Sequence, residues 1–125
     1  MTQQPVSPHV HAQILRVHAQ LQEGKPEAAL MVLQRLLPKT SHVPDVHVLM
    51  MHALMKLNRL DQAVYAGERA LELVPDDISI LHDVGLAYSI AMNNDKADAL
   101  MRRAVEIEPT FAPARLHLAN RALDT

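Results

Sequence analysis

The sequence predicts an all-α fold built from tandem helical hairpins. Three observations carry that prediction. The 125-residue chain repeats itself every 34 residues. Its apolar residues recur at spacings of three and four, the helical period. Strand signals are nearly absent, since the β-branched stretch Val43–Val48 is interrupted by Pro44. Slid against itself by 34 residues, the chain superposes Ala29, Ala63 and Ala97, then Ala19, Ala53 and Ala87, then Leu36, Ala70 and Ala104. Pro75 falls on Pro109 and Leu71 on Val105. RLDQAVYAGERALELVP from Arg59 aligns without a gap with NNDKADALMRRAVEIEP from Asn93, and KPEAALMVLQRLLPK from Lys25 is the first-repeat equivalent. A period in this range marks a repeat architecture in which each unit buries its apolar face only by stacking on its neighbours.

Breakers divide the pattern into seven predicted helices, at 8–23, 26–37, 45–57, 60–73, 78–91, 94–107 and 112–123. The first carries the stripe Val10, Ile14, Val17 and Leu21 and stops at Gly24. The second is predicted to end before Pro38, the stretch from Leu37 to Pro44 reading as the longest break. The third holds the apolar run from Val46 to Met55. Leu60, Val64, Gly67 and Leu71 stripe the fourth, which stops at Pro75; Ile80, Val84 and Ala87 stripe the fifth. The sixth stops at Pro109, and Pro113 sits in the first turn of the seventh, where its missing N–H costs little. Asp and Asn at the breaks (Asn58, Asp76-Asp77, Asn93-Asn94) read as N-caps, because their side-chain oxygens accept from free backbone N–H groups. Residues 1–7 read as a disordered tail.

Gly85, Tyr88, Ala97, Ala104 and Pro109, with Ala63, Ala70 and Pro75 before them and Gly24, Ala29 and Leu33 before those, resemble the signature of the tetratricopeptide repeat (TPR) family. The resemblance covers about residues 9–123. It implies a TPR α-solenoid: one domain over 8–125, with repeats at about 8–41, 44–77 and 78–111 and a C-terminal capping helix at 112–123. Three departures stand out. His47 occupies a place where the family carries a bulky Trp or Leu. Gly67 stands where a large apolar residue is usual. Gln13, Arg16 and Gln20 fill normally apolar places in the first helix, which suggests a rotated helix acting as an end cap.

Composition narrows the function. Cysteine is absent, so disulfides and thiolate chemistry are excluded. Glycine numbers 3, which disfavours phosphate-cradling loops. A net charge of −2 with interspersed signs lacks the basic footprint of a nucleic-acid binder. No apolar run approaches the ~20 residues that span a bilayer, and no leader is visible, so a soluble cytoplasmic protein is expected. No serine-hydrolase, P-loop or dinucleotide motif is present. Asp76-Asp77 and Glu106/Glu108 read as capping and solvated carboxylates, and Arg102-Arg103 beside Glu106 as an exposed charged face. A non-enzyme without cofactor is expected.

Eight histidines are the compositional oddity. None forms an i, i+4 His–His pair, so no metal site is predicted. His18 and His52 lie one repeat apart and are expected on adjacent helices. The family's concave face is built from each unit's first helix. The resemblance therefore places His11, Ile14, His18 and Leu21, then Asp45, Val48, His52 and Met55, then Ser79, His82, Leu86 and Ser89 in a groove, joined by Leu116, Asn120 and Leu123 of the last helix. These sets follow helical spacing, so each shares one face. The expectation is a largely apolar groove with a ladder of imidazoles, binding an amphipathic helix or apolar peptide. Imidazoles with pKa near ~6.5 would make it cationic in mild acid. The Lys/Asn/Arg clamp with which some TPR arrays hold acidic tails is missing, since the matching positions are Ile14, His18, Leu49, Ser79 and Asp83. Met50, Met51 and Met55 read as core filling or as an adaptable surface. The leading functional expectation is a TPR adaptor or chaperone-like scaffold. The alternatives are an N-terminal segment of a larger enzyme, such as a sulfotransferase or glycosyltransferase, and a self-associating homo-oligomer.

Overall fold

The computed structural model describes residues 7–123, so most of the expected N-terminal tail lies outside the described residues. Among them are seven helices and no strand: α1 (Pro8–Gln22), α2 (Pro26–Thr40), α3 (Pro44–Lys56), α4 (Leu60–Leu73), α5 (Ile78–Ile90), α6 (Asn94–Ile107) and α7 (Ala112–Leu123). Each helix packs on the next, and α3 also touches α1 and α5. The first helix of each hairpin therefore stands in a contiguous row.

The 34-residue period is written into the turns as well as the core. Gly24, Asn58 and Met92 occupy equivalent positions and all take the left-handed conformation, with φ of 76°, 60° and 65°. After each, the next N–H reaches back to close the preceding helix: Lys25 to Gln20 O, Arg59 to Leu54 O and Asn93 to Tyr88 O, all at 2.8 Å. These are Schellman-type closures, which need one left-handed residue. Asn58 thus ends α3 rather than capping α4, correcting the sequence expectation. Asp77 and Asn93 do cap, accepting from Ile80 N and Lys96 N. Ser7, expected in the tail, is the N-cap of α1, its Oγ accepting from Val10 N.

Helix α2 runs to Thr40, through Pro38 and beyond the predicted stop. Proline removes one intrahelical bond, and this close to the end the loss is small. Thr40 is buried and its hydroxyl donates to Leu36 O at 2.8 Å, holding the last turn. The predicted long break shrinks to three residues before Pro44, which starts α3.

Alanines set the interhelical spacing. Ala29, Ala63 and Ala97 are fully buried, as are Ala70 and Ala104. Leu33, Met51, Val84 and Met101 fill the space between. Gly67 is explained by this packing. A Cβ there would lie 2.8 Å from both Met51 Sδ and Val84 Cγ2. The large residue usual at that place is supplied from α3 and α5 instead. His47 is buried, and its Nε2–H donates to Ser41 O at 2.8 Å, tying α3 to the end of α2. A buried polar group with its bond made costs little.

Helix α1 departs from the repeat. Val17 and Leu21 turn inward, while Ala19, in register with buried Ala53 and Ala87, is exposed. At the other end, Asp98 of α6 accepts from Arg121 of α7, Nε at 3.1 Å to Oδ1 and Nη2 at 3.2 Å to Oδ2. His117 Nε2 lies 3.4 Å from the same carboxylate. This buried carboxylate, with Ala114, Phe111 and Leu118 against Leu81 and Met101, seats α7 on the third hairpin.

Candidate functional site

The row of first helices positions the expected groove residues, because i, i+3/i+4, i+7 spacing keeps each set on one face. The second and third turns of α3 and α5 bring His52 and Asp83 together, Nε2 to Oδ2 at 3.8 Å. Asp83 Oδ1 also lies 3.7 Å from His82 Nδ1. His18 of α1 is close enough to His52 to act on its charge, as the sequence spacing anticipated. Phe111 meets the His82 ring edge-on at 5.7 Å between centroids. A polar row of His18, His52, Asp83 and His82 thus crosses three helices.

Electrostatics distinguish His52. Burial pushes its pKa below the ordinary 6.5; Asp83 pulls it upward, and His18 and Lys56 press it down further. The expectation of a ladder titrating together near neutrality is corrected at this residue.

The other groove positions divide by exposure. His11, His18, Leu86, Leu116 and Asn120 are exposed. Ile14, Val48, His52, Met55, His82 and Ser89 are half-buried, with Ile14, Val48 and Met55 packed against the core. Leu21 is buried at 8% and belongs to the core, not to a groove. Its register mates Met55 and Ser89 remain half-buried. Leu49, matched above to a clamp position, is also a core residue, 3% exposed. The row of first helices is accordingly less apolar than the expected groove. Its exposed or half-buried features are imidazoles, the Asp83 carboxylate and Leu86.

A second concavity escaped the sequence reading. Between α2, α3 and α4 a cleft of about 350 Å³ is floored by Leu30, Leu54 and Ala66 and rimmed by Gln34, Asp61 and Tyr65. Tyr65 is 64% exposed, with the Arg69 guanidinium 5.4 Å from its ring centroid, and Met31 on α2 is 55% exposed. The signal was Tyr65 and Met31 on second-helix faces that the repeat leaves solvated. On α5, Tyr88 is buried and pushed up to about 12 by desolvation and by Glu68. Among the described residues, no group of three or more His, Cys, Asp or Glu side chains is arranged to hold a metal ion. None of their helices is long and apolar enough to cross a membrane.

Among the solved structures with this architecture are TPR proteins. MamA matches at 19% identity and TM-score 0.77, over 83% of this chain and 61% of that one. YrrB, described as a TPR protein with an unusual peptide-binding site, matches at 21% identity and TM-score 0.76, over 86% of this chain and 55% of that one. The first TPR domain of Spaghetti (RPAP3), solved with the HSP90 peptide SRMEEVD, matches at 17% identity and TM-score 0.81, over 91% and 92%. The chain therefore spans less than two thirds of the MamA and YrrB chains, and nearly all of the RPAP3 domain. At these identities the likeness concerns fold. The sequence model described as "Tetratricopeptide repeat" matches residues 20–84, just over half of the chain. That match, the 34-residue turns and the seven-helix solenoid agree: the chain belongs to the tetratricopeptide repeat family.

Proposed function

We propose that the concave face of α1, α3 and α5 binds an extended peptide or one face of an amphipathic helix from a protein partner, without catalysis. The observation that carries this reading is the row of His18, His52 and Asp83 across three adjacent first helices, His52 and Asp83 at 3.8 Å. Imidazole and carboxylate side by side supply donors and acceptors to a peptide backbone, while Leu86 offers an apolar contact. The peptide-binding site described for YrrB and the HSP90 peptide complex of RPAP3 support the use of this fold for such ligands. An acidic tail held by a cationic clamp does not fit here, because Asp83 carries the opposite sign.

The test is a selection from a random peptide library on the whole protein, with bound peptides mapped by NMR shifts. The reading requires shifts concentrated at His18, His52, Asp83 and Leu86. Shifts confined to the Tyr65 cleft would contradict it.

The exposure of Leu116 (62%) and Leu123 (83%) on α7 favours a second reading, self-association through this end. Light scattering across a hundredfold concentration range tests it. A mass fixed at that of one chain rules it out.

A further inference from the structure

The three departures from the family pattern in α1, Gln13, Arg16 and Gln20, are not absorbed by the concave face. In the later repeats the equivalent positions are His47, Met50 and Leu54, then Leu81, Val84 and Tyr88, which pack on neighbouring helices. In α1, Gln13 and Arg16 line a cleft of about 380 Å³ between α1 and α2. Its floor contains Val10, Val32 and Leu36; Arg16, Arg35 and Lys39 stand around it, and no acidic residue lines it.

The repeat itself supplies the control. Arg35, Arg69 and Arg103 are register equivalents, 34 residues apart. Arg69 pairs with Glu72, and Arg103 pairs with Asp76 and donates to Pro75 O. The position matching Glu72 in the first repeat is Pro38, and the one matching Asp76 for Arg35 is Pro8. Both carboxylates that neutralise the other arginines are thus replaced by proline. Among the described residues, no carboxylate lies within 4 Å of Arg16, Arg35 or Lys39. In a chain of net charge −2, three uncompensated cations converge on one concavity with an apolar floor.

We propose that this cleft docks an acidic peptide segment of a partner protein, with an apolar side chain on the Val10–Val32–Leu36 floor and flanking carboxylates on Arg16, Arg35 and Lys39. Arginine forks bind carboxylates bidentately, and the two arginines carry the orientation. The apolar floor favours an organic chain over a bare anion, and three cations in one cleft are too few to track a nucleic-acid backbone. The site is separate from the concave face and does not depend on the function proposed for it.

The experiment is fluorescence anisotropy of the full chain with a labelled probe of four glutamates around one leucine. The expected results are saturable binding that weakens with salt, and at least a roughly tenfold loss in Arg16→Gln/Arg35→Gln, the scale of losing one charge-assisted contact. Among the described residues neither arginine makes an ion pair, so the variant is expected to fold, which circular dichroism checks. A His52→Gln variant is expected to bind the probe as wild type. Equal binding of a matched glutamine probe overturns the proposal, as does unchanged affinity in the arginine variant. A single-stranded oligonucleotide that outcompetes the peptide at equal charge also overturns it.

Discussion

His52 on α3 and Asp83 on α5 approach each other between two first helices of the row, Nε2 to Oδ2 at 3.8 Å. Burial nonetheless holds the His52 pKa below 6.5, outweighing the pull of Asp83. Folding therefore disfavours the protonated ring. The unfolded chain takes up this proton first, so the contribution of His52 to stability is complete above about pH 6.5 and is lost as pH falls below it. Asp83→Asn removes the one upward influence. NMR titration of the His52 ring should show its midpoint moving further down in that variant. A midpoint that rises contradicts the assignment of causes.

The Asp98 carboxylate is the polar anchor of α7. It is buried, it accepts from Arg121, and that bond is the main cause of its lowered pKa. Asp98→Ala should cost about 2–3 kcal/mol, the scale for removing one partner of a largely buried charge pair. Hydrogen exchange in α7 should rise before exchange elsewhere. The sign with pH is the same as for His52, while the cause differs: the bond from Arg121 rather than desolvation lowers this pKa. A depressed carboxylate stabilises the fold above its unfolded value near ~3.9, and that contribution disappears as pH falls below it. Asp98→Asn should lack this part of the acid-induced loss in urea midpoint.

Two glycines at first sight alike should respond differently to alanine. A Cβ on Gly67 meets the stiff, fully buried Val84 at 2.8 and 3.1 Å, as well as Met51 Sδ. A Cβ on Gly85 meets the terminal methyl of Met101 at 2.8 Å, a group that can rotate away. Gly67→Ala should lose about 1–2 kcal/mol, overpacking exceeding the gain in helix propensity. Gly85→Ala should be neutral or gain up to about 1 kcal/mol. Chemical denaturation ranks the pair, and the reverse order refutes the packing described.

Met92 is an 80% exposed non-glycine residue at φ 65°. Its register mate Gly24 meets the same backbone demand without a Cβ penalty. Met92→Gly should raise stability by roughly 0.5–1 kcal/mol, part of the left-handed penalty being offset by the greater freedom of glycine in the unfolded chain. A thermal melt measures the change.

The self-similarity of the chain made the helices, their order and the row of first helices legible, since alanine and proline spacing specifies a hairpin directly. It also placed His18 and His52 on adjacent helices, and His18 acts on the charge of His52. Other features depend on context that one residue does not announce. Met92 has no turn propensity, and only the register with Gly24 and Asn58 exposes its role. Pro38 reads as a stop, yet it sits where a helix has few bonds left to lose. Leu21 was assigned to the groove by register, yet it packs into the core. The α1–α2 cleft was half legible: Gln13, Arg16 and Gln20 were visible as anomalies, but Arg35 and Lys39 join them only in three dimensions.

The central claim is that the concave row is where a partner binds. Val48 is half-buried against the core, so its substitution would test stability as well as binding. The exposed Leu86 and the row residue His52 make a cleaner pair. Calorimetric titration of library-selected peptides should show at least a roughly tenfold loss in Leu86→Asp/His52→Glu, the scale of losing one interface hot spot, with the helical fold kept by circular dichroism and with Arg16→Gln/Arg35→Gln binding as wild type. Native affinity in the folded Leu86→Asp/His52→Glu protein would contradict the account.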